Sequence, residues 1–198
     1  MLSSIHPFGE RSRSNSFGHT ATAHIIGSAL GGAALGGLAG AIGAAITAVA
    51  APSTAIRAAI VLAATIGALL IEATRRERLL PTRSRQVNEN WIQSYRGWVY
   101  GGGWGAELGF GISTIITTAL VHLLVVTMIF VGSFTTALLL GAVFGVVRGA
   151  TILAAAGVDS PEKLRTLHQR LDSLRARSRS GVLLSLVLAT AVGLGGVW

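Results

Sequence analysis

The sequence predicts an all-α integral membrane protein with five transmembrane helices, arranged as two hairpins followed by one unpaired helix. Three observations lead there. Only 12% of the 198 residues are charged while 51% are apolar, about half the charge density with which a soluble domain covers its surface. Five stretches reach or approach the ~20 mostly apolar residues that cross a ~30 Å hydrocarbon layer. The basic residues fall almost entirely between alternate stretches, on one side of the membrane those stretches would form. The length fits a single polytopic domain, 1–198.

The first stretch, 22–50, stops before Pro52. Arg11 and Arg13 precede it and Ala48-Val49-Ala50 resembles a cleavage site. A signal peptide, however, has an apolar core of only ~7–15 residues. This run is nearly twice as long, so it is expected to stay as a helix. The second stretch is 54–73. The third, 101–130, is too long for one straight crossing, which places Gly101-Gly102-Gly103 at the interface or tilts the helix. The fourth, 134–156, follows a Val-Gly-Ser turn, and the fifth, 181–198, is just long enough.

Arg11 and Arg13 lie ahead of the first stretch. Arg75, Arg76, Arg78, Arg83, Arg85 and Arg96 separate the second from the third. Lys163, Arg165, Arg170, Arg175, Arg177 and Arg179 separate the fourth from the fifth. Basic loops stay in the cytoplasm, so the N-terminus is expected inside and Trp198 outside. A bacterial cytoplasmic (inner) membrane is the expected location, and the near-exclusive use of Arg over Lys fits a GC-rich genome. These charges suit the anionic lipids of the inner leaflet, which leaves no separate basic patch for nucleic acid. The absence of cysteine excludes disulfides, thiol chemistry and Cys-ligated metals.

Ser160-Pro161-Glu162 is a helix start, with Ser as N-cap and Pro at the first helical position. Leu164, Leu167, Leu171 and Leu174 follow at helical spacing. The pattern predicts an amphipathic cytoplasmic helix between spans four and five, lying on the anionic inner leaflet; packing on a partner protein uses the same pattern. Trp91, Tyr95 and Trp98, following Val87, read as an aromatic belt at head-group level, or as a lid over a cytoplasmic entrance.

Small residues recur every four positions, including Gly32, Gly36 and Gly40 in the first stretch. Gly105 and Gly109 continue the pattern in the third, and Gly141, Gly145 and Gly149 in the fourth. Lipid offers apolar side chains no reason to pack on each other, so membrane helices associate through such close-approach stripes. A tightly packed bundle is expected, with homo-oligomerisation or a partner membrane subunit as further uses of the same feature.

Ionisable groups within apolar stretches are costly and point to function. Glu107, Thr114, Thr118 and His122 fall on one stripe ~22 Å long if 101–130 is one continuous helix. Arg148 lies ~12 Å inside the fourth stretch by helix rise. It predicts a carboxylate partner, with Glu107 favoured and Glu72 as the competitor. The histidines His6, His19 and His24 lack metal-ligand spacing, and no nucleotide-binding or hydrolase motif occurs. No enzyme, cofactor or metal is expected. Two readings follow: a small transporter or channel-like protein whose path runs along the third helix with Glu107 and Arg148 as its gate, or a non-catalytic subunit or scaffold of a larger membrane complex.

Overall fold

The structure of the chain, a computed structural model, describes residues 4–76, 80, 90–111 and 118–195. Among the described residues it is all-helical, with no strand. The helices are α1 (Pro7–Ser12), α2 (Phe17–Ala50), α3 (Thr54–Ala73), α4 (Trp91–Ser94), α5 (Gly97–Phe110), α6 (Ala119–Phe130), α7 (Phe134–Ala150) and α8 (Pro161–Gly195). A 3₁₀ turn, Thr151–Ala155, extends α7. Among the described residues, three segments are long and apolar enough to cross a membrane: Phe17–Ala50, Thr54–Ala73 and Phe134–Ala155.

The 34-residue α2 is the axis of the molecule, about 50 Å long by helix rise. It is flanked by α5 and α7, and the three pack through glycine on two separate faces of α2. On one face Gly27 and Gly31 receive the carbonyls of Gly102 and Ala106 from α5. On the other, Gly32 and Gly36 receive those of Gly141 and Ala137 from α7. The neighbours reciprocate. A methyl group on Gly105 would overlap the carbonyl oxygen of His24, and one on Gly109 or Gly145 would overlap that of Ser28. Gly40 faces Ala137 and Phe134, Gly141 faces Gly32, and Gly149 faces Ser28. At such separations the backbones themselves touch, which adds weak Cα–H···O attraction to dispersion. Buried polar side chains cross the same seams: Ser28 donates to the Gly145 carbonyl at 2.7 Å, and His24 Nδ1 lies 3.1 Å from the Gly101 carbonyl oxygen.

A second layer, α3, α6 and α8, meets around Ala68, Ala119 and Leu186. Sharp turns join the layers. Ala51 adopts a left-handed φ of 39°, after which Pro52 and the N-cap Ser53 start α3. Gly132, at φ 79°, turns α6 into α7, with Ser133 as the next N-cap.

Two expectations need correction. The stretch 101–130 is not one helix. It is interrupted after Phe110, where Gly111 takes φ 72°, and resumes at Ala119 with Thr118 as N-cap. Both edges of the break are set by their own backbone: Gly111 has the positive φ that glycine tolerates, and Thr118 is extended, with its hydroxyl accepting the Leu120 N–H. The amphipathic segment is likewise not a separate helix. It runs without a break into the fifth apolar stretch as the single 35-residue α8.

Candidate functional site at the interrupted third segment

Gly31, near the middle of α2, lies against Ala106 and Phe110. The interruption after Phe110 therefore sits level with the midpoint of α2. Each side of the interruption carries a charged residue from another helix. On the α5 side is Arg148 of α7, beside Gly111, its guanidinium 5.3 Å from the centroid of the Phe144 ring. A cation held over an aromatic face recovers part of the hydration lost on burial.

On the α6 side is Glu72, from the last turn of α3 and only 4% exposed. Its Oε1 accepts the Ala119 N–H at 2.7 Å, and Thr118 accepts the N–H of Leu120 at 3.3 Å. A carboxylate and a hydroxyl thus occupy the first orphan donors of α6, where the helix dipole favours negative charge. Arg179 of α8 donates to the backbone carbonyl of Glu72 at 2.6 Å, so three helices converge on that residue.

The residues singled out in the sequence are distributed unevenly around this feature. Thr118 caps α6. His122 lies half-buried one turn further along, and Glu107 is exposed on α5 one turn before the interruption. Thr114 lies outside the described residues. The ion pairs among the described residues are Glu10–Arg13 and Asp159–Lys163, so neither Glu107 nor Glu72 forms the expected pair with Arg148. The reason for Glu72 is geometric: its carboxylate is turned to the start of α6. For Glu107 it is that α5 presents the residue outward, while glycine fills the inward faces. Among the described residues no group of His, Asp or Glu gathers that would hold a metal ion. Clefts of about 330 and 380 Å³ open elsewhere, at the turns where Thr47, Ser133, Arg57 and Val61 meet.

A second buried charge closes one end of the α2–α5 seam. Glu10 is fully buried and accepts from Arg13 at 2.8 Å, Thr20 at 2.8 Å and the Tyr100 hydroxyl at 2.5 Å. Asn15 accepts the Gly97 N–H, and Ile5 packs with Tyr100, Trp104 and Ile152 beneath them. Nothing in the spacing of Glu10 announced this role; the available signal was a lone acid within a short basic, serine-rich segment.

Tyr100 lies outside the three apolar spans and ahead of 101–130. Burial, reinforced by the hydrogen bond to Glu10, pushes its phenol up to about 12. A raised folded value means that the neutral phenol stabilises the fold fully below its unfolded value of about 10. That contribution is lost as pH rises through about 12. In a Tyr95→Phe background, tyrosinate absorbance should appear near pH 12 in the folded protein and near pH ~10 in denaturant; a single shared midpoint would contradict the buried hydrogen bond. Compared with protein-family models, curated proteins and solved structures, the chain matches none.

Proposed function

We propose that this chain is a small multi-pass protein of a bacterial cytoplasmic membrane that moves a small solute or ion, with the interrupted third segment as its binding element. In this reading five segments span the membrane and the N-terminus is cytoplasmic. Both long basic loops face inward, toward anionic lipid. The observation that supports it is the position of the interruption, level with the middle of α2 and flanked by Arg148 and Glu72. Transporters place their binding sites at such discontinuous helices, whose half-helix ends and freed backbone groups face the solute. Glu107, exposed on α5, takes no central part. The path runs past Thr118 and His122 on the α6 side and Arg148 on the α7 side. No catalytic chemistry is involved.

The test is flux into proteoliposomes, measured on solid-supported membranes with a panel of monovalent ions and small organic solutes. Whatever moves with the unmodified chain should stop with Glu72→Gln and Arg148→Gln while continuing with Glu107→Gln. Equal flux through Arg148→Gln and the unmodified chain removes the interruption from the mechanism.

A second reading, a non-catalytic subunit of a larger complex, has its own support. The small-residue stripe of α3 faces outward: Ala55, Ala59 and Ala63 are exposed, and a methyl group on Gly67 would meet nothing within 4 Å. A stoichiometric second protein in native mass spectra of the gently extracted chain would favour this reading.

A further inference from the structure

We infer that the first half of α8, Pro161 to Ser180, is a docking surface for an acidic amphipathic helix of a partner protein. Leu164, Leu167, Leu171 and Leu174 follow 3-4-3 spacing, two heptads of the a and d positions of a coiled-coil seam. Within the protein this seam is incompletely covered: the first three are half-buried, and Leu174 is 47% exposed. A cleft of about 310 Å³ between Ala154, Val158 and Leu167 continues it, rimmed by Lys163 and Arg170.

The flanking e and g positions decide the partner. They are Lys163, His168, Arg170, Arg175 and Arg177, without a single acid. In coiled coils these positions set partner choice through charge. In a parallel pair of two copies of this chain Arg170 would oppose Arg175, and like charges would meet all along the seam. Self-association is thereby disfavoured. A helix carrying Leu on its seam and Glu or Asp at its flanks is the complementary occupant.

The direction of α8 favours a protein over a lipid surface. The second half of α8 packs antiparallel on the apolar span α3 through Val182 and Leu186, and Arg179 bonds the end of α3. Because the helix is unbroken, its basic half continues along the same line, about 30 Å beyond for twenty residues. A helix lying in the head-group plane would have to bend near Gly181, and α8 does not end there.

The experiment uses the full chain in nanodiscs of neutral lipid and a synthetic helical peptide with Leu at its seam and Glu at its flanks. The peptide should bind saturably. Combining Leu167→Asn and Leu171→Asn should weaken binding about tenfold or more, as for loss of a central apolar anchor. Combining Lys163→Glu, Arg170→Glu and Arg177→Glu should transfer binding to a peptide with Lys at its flanks. Both sets change exposed or half-buried side chains of α8, and an unchanged elution profile verifies the fold. Because the chain contains no cysteine, a nitroxide on Leu174→Cys, on the seam and 47% exposed, reports the surroundings directly and, without peptide, should remain water-accessible in vesicles of anionic lipid. Absence of peptide binding, or binding indifferent to the leucine changes, overturns the inference. A nitroxide shielded from water by anionic vesicles overturns it in favour of a membrane-surface role.

Discussion

Gly145→Val should yield no folded, monodisperse protein, whereas Gly67→Val should be purified like the unmodified chain. The two glycines sit in similar apolar helices, α7 and α3, and hydropathy does not separate them. Their surroundings do. A side chain on Gly145 would occupy the space of the Ser28 carbonyl oxygen, and one on Gly67 meets nothing within 4 Å. Backbone cannot yield as a side-chain tip can, so α7 would have to leave α2. The Ser28–Gly145 hydrogen bond would break with it. Even Gly145→Ala should cost about 1–3 kcal/mol, the usual range for overpacking a closed site. Gly67→Ala should be neutral or stabilising by about 0.5–1 kcal/mol, because glycine is a poor helix residue. Thermal unfolding followed by size-exclusion chromatography separates these outcomes. Equal sensitivity at both positions would mean that the α2–α7 contact does not hold the bundle together.

That contrast marks how far the residues could be read without coordinates. The four-residue recurrence of glycine is a local property, and the structure sets all eight glycines singled out against another helix. Beside the stripe Gly32, Gly36 and Gly40, α2 also carries a second one, Gly27 and Gly31, one residue out of phase. Spacing alone does not say that α2 has two neighbours, so the second stripe acquires meaning only when α5 and α7 are both placed. The interruption at Gly111 escaped for a different reason. A hydropathy window reads 101–130 as one span because it registers apolarity and not the backbone angle that glycine permits at Gly111. The angular argument for a Glu107–His122 stripe assumed a continuous helix and failed with it. In the opposite sense, Ser178-Arg179-Ser180-Gly181 looks like a boundary, but the glycine penalty of about 1 kcal/mol is too small to end a helix that packs on α3. Arg13, read as a topology signal, is mostly consumed by Glu10, which leaves Arg11 to carry the charge of that segment.

Glu10→Ala should destabilise the protein by about 3–5 kcal/mol, the cost of removing one partner of a buried charge pair. Arg13 would lose its counter-charge, and the hydroxyls of Thr20 and Tyr100 would lose the acceptor that all three donors share. Glu10→Gln should recover little of this. Its carboxamide keeps one acceptor oxygen and directs an NH₂ group at a site surrounded by donors. The informative variant combines Glu10→Ala with Arg13→Ala. If the loss comes from an orphaned guanidinium, the double variant should be more stable than Glu10→Ala alone, since the charge left behind has gone. If the loss comes from Thr20 and Tyr100, the second substitution should bring no recovery. The two origins have different structural consequences. An orphaned charge draws water to Arg13, which is already 28% exposed, and the damage stays local. An orphaned Tyr100 lies against Trp104 and Ile152, so its release opens the apolar cluster that joins the N-terminal segment to α5 and to the end of α7. Tryptophan fluorescence in the presence of an aqueous quencher distinguishes them: quenching that rises with the Glu10 change and persists in the double variant assigns Glu10 to holding that end of the bundle closed.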